Sequence, residues 1–109
     1  SPESALRDVD EFLRLGAPSA DAHRLQARAY AQRGDHYRTI MAATESLYLD
    51  PTSAESYAIR GAAFVDQREW DRGMTDLEEA VRRDAAMKNK VEAALSRAKA
   101  GLPRDAGPH

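Results

Sequence analysis

The chain has 109 residues, one domain's worth of material, and its 42% hydrophobic and 31% charged residues are the mixture of an ordinary folded domain. It holds no cysteine, which excludes a disulfide framework, a thiolate metal site and a cysteine nucleophile. Its 16 basic residues are interspersed with 18 acidic ones for a net charge of −2, the wrong balance for a surface that neutralises phosphates.

Taken in chain order, apolar residues recur three or four apart, the spacing of amphipathic helices. The first helix is expected over Pro2–Leu15, with the stripe Leu6, Val9, Phe12 and Leu13. Gly16-Ala17-Pro18-Ser19 breaks it. A pair of helices follows over about 20–33 and 36–49, divided at Arg33-Gly34-Asp35. Asp50-Pro51-Thr52-Ser53 forms the next break, where Thr52 and Glu55 have the spacing of a capping box. A second pair is expected over about 54–67 and 70–84, divided at Gln67-Arg68-Glu69, then a last helix over about 86–100. Gly101-Leu102-Pro103 reads as a helix stop with a left-handed glycine, leaving residues 103–109 as a disordered tail. No apolar run approaches the roughly eighteen residues of a membrane span. The residues Ser1–Ser4 lack a signal-peptide layout, so the expectation is a soluble, cytoplasmic protein.

Shifting the chain by 34 residues brings like onto like without an insertion. Leu6, Ile40 and Met74 coincide, as do Leu13, Leu47 and Val81, and Glu11, Glu45 and Glu79. In the intervening helices Ala20 meets Ala54, Ala27 meets Gly61 and Tyr30 meets Phe64. With Tyr57, Gly61, Phe64, Trp70, Leu77 and Ala80 in place, the chain resembles the tetratricopeptide-repeat family. His23, Gln26, Thr39, Gly73 and Ala85 stand where the family pattern differs. The resemblance implies an all-α, right-handed solenoid of antiparallel helix pairs. Its parts would be a half repeat (2–19), repeats at 20–53 and 54–85, and a capping helix (86–102). Tyr30, Phe64, Trp70 and Leu77 would be core.

Catalytic constellations are missing from the pattern. His23, His36 and His109 lack metal-ligand spacing, and neither a nucleophile elbow nor a glycine-rich phosphate loop occurs. The expectation is a protein without enzymatic activity, metal or cofactor. By resemblance, Asp21, Arg24, Arg28, Ala31 and Gln32 of the first repeat face a concave groove. Glu55, Ala58, Ala62, Val65 and Asp66 of the second join them, with Asn89, Glu92, Ser96 and Lys99 from the last helix. Arg24 and Arg28 could fork onto a carboxylate beside an apolar floor of Ala58, Ala62 and Val65. The family's carboxylate-clamp pattern is not met, because Arg28, Ile59 and Ala93 stand where it needs asparagine or a cation.

The function implied is a protein–protein interaction module, an adaptor or scaffold, that binds a peptide or helical segment of another protein. Nucleic acid and membrane are not expected partners. The alternative is self-association through the stripe Leu6, Val9, Phe12 and Leu13, part of which is left without intramolecular cover. RNA binding by a helical repeat ranks third, disfavoured by charge.

Overall fold

A computed structural model describes the backbone of residues 2–14 and 19–103, and the side chains of 2–9 and 19–103. The described chain is all α-helical. Its helices are α1 (Pro2–Arg14), α2 (Ala20–Arg33), α3 (His36–Leu49), α4 (Ala54–Asp66), α5 (Trp70–Arg83) and α6 (Lys88–Gly101), and a 3-10 turn at Ala85–Met87 leads into the last. Among the described residues, no helix is long and apolar enough to cross a membrane. The expected break at 16–18 and the tail beyond Pro103 lie outside the described residues.

The period is physical as well as textual. Helices α1, α3 and α5 begin at residues 2, 36 and 70, and α2, α4 and α6 at 20, 54 and 88, a 34-residue step each time. The turns repeat too. Gly34 closes α2 in the left-handed region at φ 77°, donating to Ala31, while Asp35 donates to Tyr30. One step on, Arg68 takes the same conformation at φ 63° and donates to Val65, while Glu69 donates to Phe64. Asp50 and Asp84 likewise end α3 and α5 with backbone bonds to Ser46 and Ala80.

Two sequence expectations need correction at the helix ends. Ser53, not Thr52, caps α4, its hydroxyl accepting from the Ser56 amide at 3.2 Å. Thr52 is instead drawn back onto Asp50, which accepts from its amide and its hydroxyl. That hydroxyl bond, before the amide bond, holds the Asp50 carboxyl below its usual range. Gly101 is not left-handed; it is the last helical residue of α6. Its missing side chain serves packing, since a Cβ there would overlap the Trp70 ring.

Each helix packs on the next. In addition α2 meets α4 and α4 meets α6, whereas among the described residues α1, α3 and α5 make no such contacts with one another. The array therefore curves with α2, α4 and α6 on its inner side, and it is elongated, 55 × 24 × 23 Å. Consecutive-helix packing of this kind is that of a helical-repeat fold.

The apolar core is unequal along the array. Around α2 and α3 it consists of Ala27, Ala42 and Ala43, with Tyr30 and Ile59 at its edge. Around α4, α5 and α6 it is larger, built on Val65, Leu77, Ala80, Met87, Val91 and Ala98, with Ala94 and Leu95 partly buried beside them. Helices α4 and α5 cross closely because Gly61 and Gly73 face each other; a Cβ on either would lie 3.0 Å from the other's carbonyl oxygen. Of the four residues expected as core, Leu77 is wholly buried, but Tyr30, Phe64 and Trp70 are only half-buried. Phe64 lies under two guanidinium groups, Arg60 and Arg72, each about 6 Å from its ring centre. Arg60 is held there by both oxygens of the buried Asp76, at 2.7 and 2.9 Å. The stripe of the first helix is described only at its start. Leu6 is 5% exposed, since α1 packs along α2, and Val9 is half-buried; Phe12 and Leu13 lie outside the described side chains.

Candidate partner-binding groove

Small side chains one turn apart leave a hollow wherever neighbouring helices cannot close over them. Ala58 and Ala62 lie four apart on α4, and Ala31 comes from the end of α2, so the α2–α4 junction is shallow there. The result is a depression of about 290 Å³. Its floor is Ala31, Ala58, Ile59, Ala62, Ala63 and Met87, and its rim carries Arg28, His36, Glu55, Asp66 and Lys90.

The rim is electrostatically organised. A single oxygen of Glu55 accepts from Arg24 at 2.6 Å and from Arg28 at 2.5 Å. Burial pushes the Glu55 carboxyl up, but the two arginine hydrogen bonds outweigh it and hold the group below its ordinary value. The hydrogen bond to Glu55 raises Arg24 in turn. At the opposite end Asp66 accepts from Arg97 at 2.8 Å and lies 3.6 Å from Nδ1 of His36. Lys90 makes no ion pair among the described residues, so it is the rim's uncommitted cation.

The expected groove residues divide clearly. Arg28, Ala31, Ala58, Ala62 and Asp66 converge on the depression, with Glu55 among them. Arg24 braces Glu55 and, at 3.5 Å, meets Asp21, but does not line the depression. Gln32 is exposed outside it. Val65 must be corrected: at 2% exposure it packs in the core against the α5 crossing, where its methyl would meet a Cβ on Gly73. Asn89, Glu92, Ser96 and Lys99 are exposed and line nothing here; α6 contributes Lys90 instead. Ile59 and Met87 were also missed. Ile59 lies at helical spacing from Ala62 and Ala63, a signal that was available. Met87 comes from a 3-10 turn, whose tighter winding helical spacing does not describe. No protein-family model matches this chain, and no curated protein matches it either.

Proposed function

We propose that the chain is a tetratricopeptide-type interaction module whose depression between α2, α4 and α6 receives a short peptide or helical segment of another protein. The observation that carries this reading is the pairing of a small apolar floor with a rim of mixed charge on the inner side of a helical array. At about 290 Å³ the hollow falls at the lower edge of small-molecule sites, which run from about 300 to 1,000 Å³. It suits one or two aliphatic side chains of a longer ligand better than an enclosed metabolite. Lys90 and Arg28 favour an acidic residue beside those side chains, and Arg28, 46% exposed, can turn from Glu55 to meet it. Binding without catalysis and without a cofactor is part of the same proposal.

The test is selection from a displayed peptide library, with enriched peptides resynthesised and titrated. Peptides with small aliphatic and acidic residues should bind the parent and lose at least about tenfold in affinity on Ala62→Arg, one 1.4 kcal/mol step. They should keep it on Lys99→Glu, outside the hollow. A library that yields no enriched sequence, or binding indifferent to Ala62→Arg, contradicts the proposal.

A further inference from the structure

A second surface stands out when the repeats are used as controls for one another. On α3, Tyr37, Met41, Tyr48 and Leu49 are 67%, 52%, 83% and 45% exposed. One 34-residue step later α5 carries Asp71, Thr75, Arg82 and Arg83 at these positions, and one step earlier α1 carries Glu3, Arg7 and Arg14 at the first three. Polar residues therefore satisfy the fold here, and the apolar set on α3 is not a packing requirement. Tyr37, Met41, Thr44 and Tyr48 are spaced four, three and four apart, the seam of two helices packed lengthwise. The buried residues of α3, Thr39, Ala42, Ala43, Ser46 and Leu47, occupy its opposite side.

The charges flanking this seam indicate what covers it. Arg38 and Glu45 lie together on its α2 side. Glu45 has no ion pair among the described residues, although its repeat-mate Glu79 is bound by both Arg82 and Arg83. Tyr48 and Leu49 stand in α3 at the positions of those two arginines, so the residues that make the face apolar also leave Glu45 without such partners. Among the described residues Arg38 has as ion partner only its own capping residue, Asp35, at 3.6 Å. If a second α3 runs antiparallel along the first, Tyr37 meets Tyr48 of the partner subunit and Met41 meets Thr44 of the partner subunit. In that register Arg38 falls beside Glu45 of the partner subunit, and the dyad makes each contact twice. A foreign segment would need no such self-complementarity.

We propose that the outer face of α3 is a homodimer interface, with α3 packed antiparallel on its counterpart and Arg38 paired to Glu45 of the partner subunit. The proposal is independent of the groove reading, because α3 meets its counterpart on the side away from the depression. Its effect would be to present two depressions on one particle. A 14-residue helix is about 21 Å long and 10 Å wide. Such a strip buries less than the roughly 800 Å² per partner of standard complexes, so association is weak and concentration-dependent.

Sedimentation velocity at low salt tests it over about 10 µM to 1 mM, the span of weak association. The parent should shift from monomer toward dimer across this range. Arg38→Glu and Glu45→Arg should each weaken association at least about tenfold, by placing like charges together at both ends. The double exchange, Arg38→Glu with Glu45→Arg, should restore it to within about threefold, which a merely structural effect would not do. Met41→Glu should abolish dimerisation while the circular dichroism spectrum stays helical. Folding should also survive Arg38→Glu, since glutamate three residues after the capping Asp35 is favourable. A parent that remains monomeric at 1 mM overturns the proposal and leaves the stripe to a foreign apolar segment. Association that survives Met41→Glu, or that the double exchange fails to restore, overturns it equally.

Discussion

Arg68 shows how far a single residue can be read. The sequence marks 67–69 as a turn because it falls one period after Arg33-Gly34-Asp35, yet nothing local says that a side-chain-bearing residue adopts φ 63° there. The period supplies the conformation that propensity withholds. A left-handed non-glycine residue costs on the order of 1–2 kcal/mol, and glycine returns about 0.5–1 of that through chain entropy. Arg68→Gly should therefore stabilise the chain by about 0.5–1 kcal/mol in urea denaturation. A loss of stability would mean that the Arg68 side chain contributes more than its backbone costs. Ser46 and Ser56 show the opposite limit. Both are fully buried, bonded to each other at 2.9 Å, and Ser46 also donates to the Ala20 carbonyl. Hydroxyls in a core position are invisible to apolar periodicity, because only the assembled chain supplies their partners.

At the level of elements, helix positions were legible to within about two residues because apolar spacing, Gly34 and the Asp50–Ser53 break all agree. What the spacing missed are contacts across long separations. Glu55 and Arg24 are 31 residues apart, and their bond emerges only when α2 and α4 are neighbours. Because Glu55 is held below its ordinary value when folded, its stabilisation is full above the unfolded value of 4.5 and fades as pH falls through the folded one. Glu55→Gln should make the acid-side loss of stability shallower, measured by urea midpoints from pH 7 to 3; an unchanged pH slope would mean the network contributes nothing to folding. The docking of α6 is testable through the single tryptophan. Gly101→Ala places a methyl in the Trp70 ring, and overpacking costs typically about 1–3 kcal/mol. Trp70 emission should shift to the red while helix content changes little. An unmoved spectrum would show that the end of α6 does not seat on Trp70.

For the whole molecule, one short array carries two differently built surfaces. The inner depression combines alanines with charges that, Lys90 apart, are already engaged on one another, so a ligand must displace as well as add contacts. The outer face of α3 presents aromatic and methionine side chains where its repeat counterparts α1 and α5 carry polar residues. Much of the lining of the depression was legible, because positions on α2 and α4 recur with the 34-residue period: Arg28, Ala31, Ala58, Ala62 and Asp66, grouped by register, do line it. Val65 was misplaced since the Gly61–Gly73 crossing draws α5 over it, and Leu6 of the N-terminal stripe is covered because α1 packs on α2. Both points concern which side of a helix its neighbour covers, a property of the assembled array. The groove reading is tested most directly by amide chemical-shift mapping with a peptide enriched from the displayed library. The shifts should concentrate at Ala31, Ala58, Ile59, Ala62 and Lys90, around the depression. Shifts confined instead to Tyr37, Met41 and Tyr48 would contradict it and move the binding site to the opposite side of the array.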